Sequence, residues 1–261
     1  MKKTILLYLS LAFVSINCSN TTPKKYDLTL FNTQDKELLK GIQGKIFDAF
    51  VQTNIQKDAK ALLNIKEKLQ NLGDSRPNNV VTYWQSYLQY YLSIFYMTQQ
   101  NTEQAEEEID RAVDLMEDMK NKNSEDYALL ALAQSFSIQF KGFKAMFISS
   151  AIKKNGKRAM AMEPKNIRAY YVLGSSDFYT PAKYGGGEQA ESLLLKAIAL
   201  PEQLNKNPYL PSWGKAESYE LLVKHYLKSN DKTKAKTYCK EGLALFPNNY
   251  GLGKLAIELL D

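Results

Sequence analysis

The chain is poor in the residues from which most protein chemistry is built. Histidine occurs once, at His225, and cysteine twice, at Cys18 and Cys239. One histidine with no cysteine or acidic cluster beside it cannot assemble a zinc site. A Ser-His-Asp arrangement would need a strained nucleophile turn that the sequence lacks. Thirteen glycines and eight prolines are too few for an all-β chain full of turns. Beyond Ile16 no stretch approaches the roughly 18 consecutive apolar residues of a membrane-crossing helix. Nor does charge of one sign dominate. The formal net charge is +6, and it falls to +4 without Lys2 and Lys3, which is no argument for nucleic acid. Metal chemistry, cofactor chemistry and hydrolysis thus have little to stand on.

What is present is helix-forming. Hydrophobic residues make up 44% and charged residues 24%, a globular balance rich in Leu, Ala, Lys, Glu and Gln. The first 17 residues read as an export signal: Lys2 and Lys3 precede a 12-residue, mostly apolar run from Ile5 to Ile16. Cys18 stands directly behind that run, followed by Ser19, Asn20, Thr21 and Thr22. The layout resembles a bacterial lipoprotein signal, which implies an acylated Cys18 as the first mature residue. Val14 to Asn17 depart from the usual pattern before such a cysteine, so plain secretion and an uncleaved signal anchor stay open. If Cys18 carries lipid, Cys239 is left alone and a disulfide framework is excluded. Residues 18–32 are polar with no helical period and read as a tether.

From residue 33 onward apolar residues recur at helical spacing in pairs of segments. Helices are expected over Thr33–Thr53 and Ile55–Leu72, then Val80–Gln99 and Thr102–Met119. A third pair covers Tyr127–Gln139 and Phe143–Met162. A fourth starts at Ile167 and resumes at Glu188 after a long turn. Residues Asn205–Pro211 form a linker before the fifth pair, Trp213–Pro247, and Asn249–Asp261 closes the chain.

The fifth pair carries the clearest pattern. Tyr219, Leu222, Val223 and Tyr226 precede Ala235, Cys239, Gly242 and Pro247. The second pair has Leu92, Ser93 and Tyr96 with Ala105, Ile109 and Ala112. The fourth has Tyr170, Leu173 and Gly174 with Ala190, Leu194 and Ala197. This spacing resembles the tetratricopeptide repeat, in which an aromatic and a leucine face a small residue where the second helix crosses closely. The resemblance covers about residues 34 to 261. It implies an all-α, right-handed α-solenoid of about five helical hairpins plus a C-terminal capping helix. It also implies a non-catalytic role in which a protein or peptide partner lies along the concave groove.

In such repeats the first helices line the groove. Carried onto this chain, that face holds Tyr83, Tyr87, Tyr90, Tyr91 and Ile94 in the second pair. The fourth pair adds Arg168, Tyr171, Ser175 and Phe178, and the fifth adds Lys224, Leu227 and Lys228. Tyrosine offers a flat apolar body with a polar tip, which suits recognition, although the same rings could simply pack helix to helix. A small-solute pocket serving a transporter and an outer-membrane assembly role are the rival readings.

Tyr179 to Gly187, with Gly185-Gly186-Gly187, opens a helix and could present backbone N–H groups to an anion, but no strand precedes it. It resembles the Pro-x-x-Tyr-Gly-Gly turns of bacterial repeat proteins, which implies a structural role. Glu103, Glu106, Glu107, Glu108, Asp110, Asp114, Glu117 and Asp118 make one second helix acidic. Lys153, Lys154, Lys157, Arg158 and Lys165 make the next one basic; mutual attraction between these neighbours is the simplest expectation, and the basic run facing phospholipid head groups is the alternative. Cys239 reads as a buried thiol and His225 as a packing residue. No cofactor or metal is expected.

Overall fold

The computed structural model describes residues 26–202 and 207–260, so the expected export signal and Cys18 lie outside the described residues. The chain folds into α-helices: α1 (Thr33–Leu39), α2 (Ile42–Gln56), α3 (Lys60–Ser75), α4 (Asn79–Thr98), α5 (Thr102–Asp118), α6 (Ser124–Ser137), α7 (Ala145–Met162), α8 (Ile167–Tyr179), α9 (Ala190–Ala199), α10 (Lys215–Lys228), α11 (Lys232–Leu245) and α12 (Tyr250–Leu260). Among the described residues there is no strand. Helices α2–α3, α4–α5, α6–α7, α8–α9 and α10–α11 pair as hairpins.

The first helix of each hairpin touches the first helix of the next, from α2 through α4, α6, α8 and α10 to α12. The second helices instead fit between their own first helix and the following one. An inner layer of first helices and an outer layer of second helices make an all-α solenoid, in which each hairpin covers its neighbour's apolar face.

Local chemistry explains the boundaries. Asn78, Asn101, Asn123, Asn166 and Asp231 each accept a first-turn backbone N–H at the start of α4, α5, α6, α8 and α11. Each such cap stabilises its helix by about 1 kcal/mol. Small residues then allow close crossing. Ala105, Ala112, Ala159, Ala190, Ala197 and Ala235 have no exposed surface. Approach is near enough for inner-helix hydroxyls to reach outer-helix carbonyls: Ser86 Oγ donates to Ala112 O at 2.9 Å and Ser124 Oγ to Ala159 O at 2.8 Å. At Gly174 a Cβ would meet Leu194 Cγ at 2.9 Å, so no larger residue fits that crossing without displacement.

Four expectations need correction. The single helix expected over Thr33–Thr53 is two, α1 and α2, broken at Gly41, whose φ of 65° is left-handed and whose N–H donates to Pro208 O at 2.7 Å. The stretch 26–32, expected as the end of a tether, is packed down: Phe31 is 4% exposed, and Tyr26 OH donates to Asp126 Oδ1 at 2.6 Å. Helix α9 starts at Ala190 and not at Glu188. Lastly, the basic helix α7 makes no ion pair with acidic α5 among the described residues. The α5 carboxylates are met by Lys66 on α3, by Arg111 on α5 itself and by Lys141 in the α6–α7 turn.

Candidate functional site

The inner face is shaped by the segment between α9 and α10, which crosses it. Trp84 Nε1 donates to Tyr209 O at 3.1 Å, and Ser212 N donates to Gln43 Oε1 at 2.7 Å. Trp213 is 4% exposed. Its Nε1 donates to Tyr83 OH at 2.8 Å, and its carbonyl accepts from Arg168 Nη1 at 3.1 Å. Its ring stacks against Tyr87, with centroids 6.3 Å apart, and meets Tyr171 edge-on at 6.0 Å. A connection between the fourth and fifth hairpins is thus bonded to α2, α4 and α8 across the inner face.

This crossing divides the residues expected to line the groove. Tyr83 and Tyr87 have 0% and 3% of their surface exposed and are core, beneath Trp213. Arg168, 2% exposed, is core as well: it pairs with Glu125 on α6 and holds the Trp213 carbonyl. Two charges buried together need such hydrogen bonds to offset desolvation. Ser175 is buried on α8. The other members, Tyr90, Tyr91, Ile94, Tyr171, Phe178, Lys224 and Leu227, are half-buried, and Lys228 is exposed with its ammonium 5.1 Å from the Phe178 ring centroid.

Tyr90 and Tyr91 belong to a connected aromatic cluster, which Tyr171 joins through Trp213 and Tyr87, while Phe178 packs against Tyr179 and His225. Tyr91 packs against Phe50 at 4.9 Å and Tyr87 at 5.0 Å, and Tyr90 packs against Tyr91 at 5.6 Å and Phe136 at 5.4 Å. Burial raises the phenol pKa of Tyr90, Tyr91 and Tyr171, and the nearby Glu217 carboxylate adds to it. All three stay neutral at any physiological pH. Glu217 sits in the first turn of α10, where its Oε2 accepts from Gly214 N at 2.7 Å. Its own pKa is raised, first by burial. Glu220, one turn on, pairs with Lys224. The surface can therefore offer flat apolar contact, phenolic hydrogen bonds and one partly shielded carboxyl group. Among the described residues no cluster of His, Cys, Asp and Glu could hold a metal ion.

Sequence reasoning missed Trp213, Tyr209 and Glu217. The signal available was an aromatic pair, Tyr209 and Trp213, interleaved with Pro208 and Pro211 in a linker that has no helical period. Nothing in the sequence pointed to which helices those rings would meet.

The glycine turn binds itself. Asp177 Oδ2 accepts from both Gln189 N and Ala190 N at 2.8 Å, so the start of α9 already has its carboxylate. Gly187 N donates to Asp177 O at 2.9 Å. A Cβ on Gly186 would lie 2.0 Å from Thr180 O. His225 lies 3.7 Å from Glu191 Oε2 and packs between Phe178 and Tyr226. Cys239 is buried, which raises its thiol pKa. A further groove of about 760 Å³ lies on the other side, between α3, α4 and α5, lined in part by Lys66, Gln85, Gln89 and Arg111. Among the described residues no helix is long and apolar enough to cross a membrane.

No protein-family model and no curated protein sequence matches the chain. Among solved structures it is similar to the HusA haemophore from Porphyromonas gingivalis, with a TM-score of 0.52 and 17% identity over 74% of this chain and 92% of that one. It is also similar to PilF of Pseudomonas aeruginosa, with a TM-score of 0.36 and 20% identity over 66% and 68%. At these identities the likeness to the haemophore shows the fold alone, and the second likeness falls below a shared fold.

Proposed function

We propose that the chain is a non-catalytic interaction scaffold of tetratricopeptide type, exported and anchored through an acylated Cys18. Its inner face below Trp213 would receive a segment of a protein partner. The observation that carries this reading is the aromatic surface of Tyr90, Tyr91, Tyr171 and Phe178. These rings remain half-buried after the core is complete, on the face where first helices adjoin. Large rings with few rotatable bonds lose little entropy on binding and dominate recognition energetics.

Photo-crosslinking probes placed at Ile94 and Phe178 in the native envelope test it. The expected result is one recurrent protein partner at both probes, lost when Tyr90 and Tyr171 are replaced by Ala in a chain that keeps its helical circular dichroism. Absence of any crosslinked protein at both positions overturns it.

A second reading is favoured by the crossing segment itself. A segment that covers part of the inner face leaves less room for an extended peptide and suits a flat apolar solute better. The haemophore named above fits that picture as a ligand carrier, so a porphyrin is the first compound to try. A rise in melting temperature with a porphyrin, together with no crosslinked protein, would establish this reading in place of the first.

A further inference from the structure

Helix α7 presents a face that nothing in the fold uses. Its 18 residues contain four basic side chains, Lys153, Lys154, Lys157 and Arg158, and no acidic one. Ile152, Gly156 and Ala159 face the stack and are buried. Met146, Phe147, Ser150, Lys153, Lys154 and Lys157 project from the opposite side at helical spacing. Met146 is 73% exposed and Phe147 69%, and Phe143, in the short turn that leads into α7, is 87% exposed. None of the four cations makes an ion pair among the described residues, and Arg158 instead stacks 4.4 Å over Tyr127.

We infer that this outer face of α7 is a docking surface for an anionic lipid bilayer, its lysines meeting headgroup phosphates while Phe143, Met146 and Phe147 enter the interface. Three considerations favour this occupant. Uncommitted lysines attract a negatively charged surface, and they gather in one stripe along the outside of the helix. Exposed apolar side chains beside the lysines add buried apolar area to the electrostatic attraction, the two terms that together set binding to an anionic lipid surface. And the three apolar residues, Phe143, Met146 and Phe147, all stay largely exposed. A protein partner needs complementarity of shape, whereas a fluid interface does not.

The position of α7 suits this placement. The described chain begins at Tyr26, bonded to Asp126 at the start of α6, and Ser124 at that same start is bonded to Ala159 near the end of α7. The eight residues from Cys18 to Tyr26 can span at most about 28 Å when extended. An acyl group on Cys18 would therefore keep the C-terminal end of α7, the end that carries Lys157 and Arg158, within about one tether length of the bilayer. The docking surface itself does not depend on that acylation.

The test is local to the helix. Ser150→Cys in a Cys18→Ser background, Cys239 being buried, receives an environment-sensitive fluorophore. The full-length chain is then titrated with vesicles of phosphatidylcholine alone or with about a third phosphatidylglycerol. A blue shift on anionic vesicles only, reversed by high salt, is expected. Replacing Lys153, Lys154 and Lys157 by Gln should weaken partitioning roughly a hundredfold, about fivefold per cation, with circular dichroism unchanged. No shift on anionic vesicles overturns the inference and leaves the face to an acidic protein. An equal shift from a probe at Ile257 on α12 also overturns it, since adsorption would then be general.

Discussion

Asp126 shows how much one side chain in this fold is asked to do. Its two oxygens serve different neighbours: Oδ1 accepts from Tyr26 OH at 2.6 Å, and Oδ2 accepts from Asn123 N at 2.8 Å to complete the cap of α6. The residue has no exposed surface. Burial dominates and raises its pKa to about 6, against the lowering effects of the Tyr26 and Asn123 hydrogen bonds and of Lys122. A carboxyl that holds its proton more tightly folded than unfolded favours folding while protonated. That contribution is present in full below about pH 4 and is lost as the pH rises through 6. The interval from 3.8 to about 6 is worth about 3 kcal/mol at most. Urea unfolding of the Asp126→Asn variant should therefore lack the fall in stability between pH 4 and 6 that the parent chain shows. A parent and variant with parallel pH profiles would refute the assignment.

Among the elements, the hairpins and the segments between them differ in how far a sequence can announce them. Tyr219, Leu222, Ala235 and Gly242 report their surroundings through spacing alone, because a ring, a leucine and a small residue at a crossing are dictated by one neighbouring helix. The structure places all four in the α10–α11 crossing: Tyr219, Leu222 and Ala235 are buried, and a Cβ on Gly242 would lie 3.0 Å from Tyr219 Cβ. Gly41 and Trp213 carry no such local signature. The first breaks a helix because a distant carbonyl is waiting at Pro208, and the second packs against rings whose sequence positions are up to 130 residues away. The residues offered for the groove were legible as one face of the inner helices. Which of them stayed uncovered depended on where Trp213 fell. Truncating that ring should expose the cost: Trp213→Ala is expected to destabilise the chain by about 3–5 kcal/mol in urea unfolding. The loss includes the packing of Tyr87 and Tyr171 and leaves Tyr83 OH without its donor. A change under about 1 kcal/mol would mean the segment merely rests on the inner face.

For the whole molecule, a stack in which each repeat meets only its neighbours behaves as a sum of adjacent interfaces. This chain adds contacts of another kind, from Tyr209–Trp213 back to α2 and α4. Spin labels at Val51 on α2 and Ile257 on α12, both exposed, should give a narrow distance distribution that broadens in Trp213→Ala while the helix content holds. Equal widths in the two chains would dismiss the coupling. A plain row of hairpins is a coil spring, free to open and close its pitch with little resistance. A tie-rod fastened across the coil removes that freedom. Tension applied at one end of such a body is delivered at the other with little give in between.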